Sequence, residues 1–274
     1  MDNIHPTQDG EYMGEVFLNA SYPRVKEKRL HIIDEARIEQ GLDYLLTHFE
    51  EPIWPRTIST RTTQGRQIVV FNRMEAFVRF KQANGLDCRI NAYPNYVEWK
   101  GMNRQAPNFV FIDLDSNDID LKKILEGICA KFDDYSILPT VLLSGNGYHI
   151  YLPVTAFIFE LEEFFSDFDY PSRKFLQWAE KHLSDNKADP CHTQGLSFKN
   201  CMLRVPGSIN SKVDREVEVI QRWNGIRPSI KPLLEEFYID ITEDKINEIS
   251  VNKVDAKLRY SNKVFKYWNC NKQS

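Results

Sequence analysis

The sequence predicts an α/β (α+β) fold. Three observations carry that prediction: short apolar runs rich in Val, Ile, Phe and Tyr, segments with apolar residues at helical spacing between them, and Gly, Pro, Asn or Asp at the junctions. Residues 1–33 carry few periodic signals and read as an arm. "DEARIEQGLDYLLTHFE" reads as a helix with Ile38, Leu42, Leu45 and Leu46 on one face and Asp34 as its cap. "RQIVVF" reads as a strand. "NRMEAFVRFKQANG" reads as a helix capped by Asn72 and stopped by Gly85, and "CRINAYP" as a further strand. The strand "FVFIDL" is followed by a helix near Asp120 to Phe132, and then by "TVLLS" and "YHIYLPV", two strands joined by a glycine-bearing turn. A helix "SRKFLQWAEKHL", an irregular stretch to Arg204, a last strand "REVEVIQRW" and a helix "IKPLLEEFYI" complete the pattern. Charged, apolar-poor sequence after Thr242 suggests a mobile or partner-dependent tail.

The 274 residues are 42% hydrophobic and 27% charged, enough apolar material for one large domain or two small ones. No apolar run approaches the ~20 residues of a membrane span. The N-terminus lacks the basic and apolar regions of a signal peptide. Five scattered cysteines without a CxxC pair argue against a disulfide framework, so the expectation is a cytoplasmic protein with reduced thiols. The formal charge of −4 hides a division. From Trp54 to Gln105 nine Lys and Arg face three acids, a net of +6, whereas from Asp113 to Tyr170 twelve acids face three lysines. Such a division fits a protein that holds a polyanion near a cation site, with Arg56, Arg61 and Arg66 as candidate template-binding residues. Solvated faces of two subdomains would give the same counts.

"FVFIDLD" places Asp113 and Asp115 two apart, hence on one side of a strand. Two like charges at the end of a buried strand repel each other unless a cation lies between them. The alternative is that the strand ends at Asp113 and "DLDSNDID" is a solvated turn. In "LLSGNGYHIYLPV", Gly145 and Gly147 allow a close backbone approach to a ligand. His149 follows near the strand end, where it can be level with a site on a neighbouring strand. "NKADPCHTQGLSFKNCMLRVPGSINSK" adds a third acid, Asp189, and two phosphate donors, Arg204 as a planar fork and Lys212 as a point charge, with Pro206 and Gly207 fixing a turn between them.

"FIDLD", "SGNGYHIY", "ADP" and "RVPGSINSK" in this order resemble the motifs of the archaeo-eukaryotic primase superfamily, best matching primase-polymerases of archaeal plasmids and mobile elements. The resemblance covers roughly Asn108 to Lys212. It implies an RRM-like catalytic sheet within residues 108–240, fused to a basic N-terminal α/β unit at 34–107, with a C-terminal tail at 241–274. It further implies that Asp113, Asp115 and Asp189 are catalytic and bind two divalent ions, Mg2+ or Mn2+. Nucleotide would be bound by Ser144, Gly145, Asn146, Gly147, His149, Arg204, Asn210 and Lys212, with His149 on the phosphates. The implied activity is that of a DNA primase or primase-polymerase, a nucleotidyltransferase extending DNA or RNA with NTP or dNTP on a single-stranded DNA template, with a helicase or other replication protein as a further partner.

Two departures accompany the resemblance. Cys191, His192, Cys201 and the distant His182 do not have the spacing of a structural zinc site, so structural Zn2+ is not expected. No GxxxxGK[ST] segment occurs, which leaves a stand-alone polymerase or a catalytic domain cut from a longer chain. Two other functions compete. One is a non-catalytic single-strand-binding module gripping bases through Tyr93, Tyr96 and Trp99. The other is a rolling-circle nicking endonuclease, which would want a second histidine beside His149 and a nucleophilic Tyr.

Overall fold

In the computed structural model the described residues are 34–95, 106–115, 120–133, 135–156 and 171–248. Asp34 accepts a hydrogen bond from the Ala36 N–H and opens α1 (Glu35–Leu46), whose Ile38, Leu42 and Leu45 are fully buried. After β1 (Arg56–Ser59) and β2 (Ile68–Val70), Asn72 caps α2 (Arg73–Gln82) by accepting from the Glu75 N–H. Glu75 in turn accepts from the N–H of Phe71 (2.8 Å). There follow β3 (Arg89–Pro94), β4 (Phe109–Leu114), α3 (Leu121–Asp133), β5 (Thr140–Leu143) and β6 (Tyr148–Pro153). The chain then forms α4 (Pro171–Leu183), α5 (Pro190–Gly195), β7 (Met202–Arg204), β8 (Ile209–Asn210), β9 (Arg215–Glu216), β10 (Glu218–Gln221) and α6 (Lys231–Glu248).

The strands form two four-stranded sheets, ordered β2-β1-β3-β7 and β10-β5-β6-β4, and a small β8-β9 ribbon. Every pairing within them is antiparallel, so the α/β expectation takes the form of helices on antiparallel sheets. The backbone crosses the boundary drawn at residue 107, because β7 pairs with β3 in the register Arg89↔Arg204, Ile90↔Leu203 and Asn91↔Met202. One apolar core, from Ile38 through Phe111 and Leu203 to Phe237, runs through the described elements.

Three expected elements differ. "REVEVIQRW" breaks at Val217, whose N–H donates to Ser208 O and whose carbonyl accepts from Gly207 N–H. Its first part therefore serves the ribbon and its second part the sheet that holds β4 and β6. The stretch before Arg204 is not wholly irregular, since it holds α5 and β7. Finally, α6 continues past Thr242 to Glu248. The expected arm at 1–33 and the tail beyond residue 248 lie outside the described residues.

Candidate active site

Antiparallel register brings the first two motifs together. Asp113 of β4 stands directly opposite His149 of β6, with Phe111 opposite Tyr151 two residues back on the same face. The His149 Nε2 lies 3.3 Å from Asp113 Oδ1, and its Nδ1 lies 3.0 Å from the Tyr151 hydroxyl. That hydroxyl also accepts the Arg204 backbone N–H at 2.9 Å, which leaves its own proton for His149 Nδ1. The imidazole therefore presents Nε2–H to Asp113. Burial, reinforced by the Arg204 charge, lowers the His149 pKa well below its ordinary value, so the ring is neutral.

Asp189 reaches the same place through the backbone, because its N–H donates to Asp113 O at 2.8 Å. Its carboxylate accepts the Cys191 N–H (2.9 Å) and opens α5. Asp113 has a side chain 17% exposed, and its pKa rises to about 6. Burial is the main cause. His192 opposes the rise, and the charges of Glu180, Asp189 and Asp115 add to it.

The glycine turn is held by close contacts. A Cβ on Gly147 would lie 2.1 Å from Leu114 O, and one on Gly145, at φ +135°, would lie 2.6 Å from a Val213 methyl. Asn210 donates to Ser144 O (2.6 Å) and accepts the Lys212 N–H (3.3 Å), so it ties the turn to β8. Gly207 adopts φ +77° against Arg37 of α1, as the expected Pro206–Gly207 turn requires.

These motifs line one cavity of about 720 Å³, a size suited to a small-molecule ligand. Three carboxylates, Asp113, Asp115 and Asp189, and three cations, Arg89, Arg204 and Lys212, line it together. Ser144, Asn146, Gly147, His149 and Asn210 also line it. Gly145 is not among the lining residues, and its part is the backbone of the turn. Nothing in the local sequence singles out Arg89. It faces the cavity because the β3–β7 register sets it opposite Arg204, and among the described residues its side chain has no hydrogen-bond or ion-pair partner. Arg204 is buried, and its Nη1 is 3.7 Å from Asp87 without a hydrogen bond. Burial and then the neighbouring Arg89 charge lower its pKa. Two like charges side by side on adjacent strands are unfavourable without an anion between them.

The template-binding expectation needs correction at one residue. Arg56 is 1% exposed, covers the Phe49 ring at 3.6 Å and donates to Asn91 O at 2.9 Å, so it is a core cation with no surface for a nucleic acid. Arg61 and Arg66 are exposed. Tyr93, expected to stack on bases, is likewise buried and donates its hydroxyl to Phe109 O (2.6 Å). Tyr96 and Trp99 lie outside the described residues.

Three carboxylates are oxygen donors of the kind that suits Mg2+ or Mn2+. Among the described residues, however, no three His, Cys, Asp or Glu side chains converge on one point where an ion could sit. Asp113 faces His149 and Asp189 caps α5, so the donor chemistry fits a divalent cation, and both side chains would turn from those partners to ligate one.

No protein-family model matches the chain, and no curated protein matches it. Two solved structures are similar to it. One is the Cyanophage S-2L primase-polymerase (PrimPol) AEP domain, at 13% identity and TM-score 0.46, covering 74% of this chain and 97% of that one. The other is primase RepB′, at 13% identity and TM-score 0.47, covering 87% of this chain and 70% of that one.

Proposed function

We propose that the chain is a template-directed nucleotidyltransferase, a DNA primase or primase-polymerase that joins nucleotides on single-stranded DNA. The observation that carries this reading is the mixed charge of one cavity, lined by three carboxylates and by Arg89, Arg204 and Lys212. A polyphosphate with an associated cation satisfies both signs of charge at once, whereas a simple anion or a simple cation satisfies only one. Asp113, Asp115 and Asp189 would hold divalent cations, Mg2+ or Mn2+, which neutralise triphosphate charge and acidify the attacking hydroxyl. The chain's own residues do the rest. Arg204 and Arg89 grip phosphate oxygens, and the Gly145–Gly147 turn brings the backbone close to the ligand. Tyr151 holds the tautomer in which His149 can donate from Nε2 to a phosphate oxygen when Asp113 turns away.

The test is nucleotide incorporation on single-stranded DNA, with and without a primer, using ribo- and deoxynucleotides separately. Incorporation by the wild type and its loss in Asp113→Ala support the reading. A wild type that incorporates neither class with either cation refutes it.

A further inference from the structure

A second carboxylate–histidine pair lies beside the one already described, and neither of its members has been given a task. Glu180 of α4 is fully buried. Its Oε1 accepts both the Asp113 N–H (2.9 Å) and the His192 Nδ1–H (2.7 Å). His192 packs edge-on against Phe111, 4.3 Å between ring centres, and lines the cavity. With Nδ1 committed to Glu180, the Nε2 of a neutral His192 carries a lone pair. That atom is buried and has no hydrogen-bond partner, and neither does Glu180 Oε2. A buried polar atom left unpaired in this way calls for a ligand atom to meet it.

We propose that His192, oriented by Glu180, is the base that takes the proton of the attacking hydroxyl, an inference that rests on the nucleotidyl transfer proposed above. The O–H bond of the primer 3′-hydroxyl breaks and its proton goes to His192 Nε2. The oxygen's electron pair forms the new bond to the α-phosphorus, and the α–β bridging P–O bond breaks with its electrons leaving on pyrophosphate. The imidazolium left behind is stabilised by the Glu180 carboxylate, whose second oxygen is otherwise unpaired. A histidine at the cavity wall whose other nitrogen is held by a buried carboxylate is the base-and-orienter arrangement such a transfer uses.

The test compares wild type, His192→Gln and His192→Ala in primer extension, alongside nucleotide KM and Mn2+ binding read by electron paramagnetic resonance. His192→Gln retains an N–H for Glu180 but has no basic nitrogen, which guards against loss of the fold. The expected result is a kcat lowered by roughly 10²–10⁴-fold in both variants, with KM and Mn2+ affinity nearly unchanged. Added imidazoles should restore the His192→Ala rate in order of their basicity. Wild-type kcat in His192→Gln, no rescue of His192→Ala, or an equal loss of Mn2+ binding, which would make His192 a cation ligand, each overturns the proposal. A wild type without any incorporation instead removes the nucleotidyltransferase reading beneath it.

Discussion

Replacing Asp113 by Asn should make the cation-free chain more stable at neutral pH. A carboxyl whose pKa rises from an ordinary 3.8 to about 6 on folding holds its proton more tightly in the folded state. Its contribution is therefore favourable below 3.8, fades as pH rises through about 6, and leaves the ionised group as a cost above that. The difference corresponds to roughly 3 kcal/mol at neutral pH. Asn keeps the shape and an oxygen for the His149 Nε2–H, and it cannot ionise, so the substitution isolates the charge. Urea unfolding in a chelator should show Asp113→Asn more stable by about 2–3 kcal/mol near pH 7, with the gain shrinking towards zero near pH 4. A divalent cation at about 100 times its Kd should add about 2.7 kcal/mol to the wild type and far less to the variant. A variant less stable than wild type near neutrality, or a gain independent of pH, would refute the picture of a buried carboxyl whose ionised form the fold disfavours.

Tyr151→Phe strands the Arg204 N–H and His149 Nδ1 in the core. It should cost about 1–3 kcal/mol for each unsatisfied group in urea unfolding, and the ¹⁵N shifts of His149 should lose their single tautomer. Gly147→Ala forces a methyl against Leu114 O, so nucleotide affinity measured by calorimetry should fall with a stability loss of about 1–3 kcal/mol or more. Neutralising Arg61 and Arg66 together should flatten the dependence of log K on log salt for single-stranded DNA by about 0.7 for each phosphate that the chain no longer neutralises. An unchanged slope would move the template elsewhere, with a truncation at Asp244 as the next comparison.

What the sequence made readable was local. That His149 could stand level with a site on a neighbouring strand followed from strand alternation and the β5–β6 hairpin, while its place opposite Asp113 came from the β4–β6 register. Asp34 and Asn72 announced their helices because a cap is decided by its own side chain and the next few N–H groups. The rest depended on partners far along the chain. Arg56 and Arg89 contribute equally to a charge count, yet one lies against Phe49 in the core and the other opposite Arg204. Only the strand register separates them. Glu180 looked like one more charge on an amphipathic helix, and what gives it meaning is the backbone N–H of a residue 67 positions earlier. The break at Val217 was hidden because its neighbours alternate like a strand on both sides.

The first helix pairs with α2 through Glu35, Glu39 and Asp43, but two of its polar partners lie near the other end of the described chain. Arg37 of α1 pairs with Glu216, and the Tyr44 hydroxyl accepts the Trp223 N–H, each across 179 positions, while Gly41 packs against the Pro206 carbonyl. On a ribosome adding about 5–20 residues per second, α1 would emerge roughly 10–35 seconds before the residues that complete its seat. During that interval Ile38, Leu42 and Leu45 lack their final cover, so the earliest of the described elements to be synthesised is among the last to be finished, and nascent-chain folding should show α1 becoming protected from proteases only after residue 223 has left the exit tunnel.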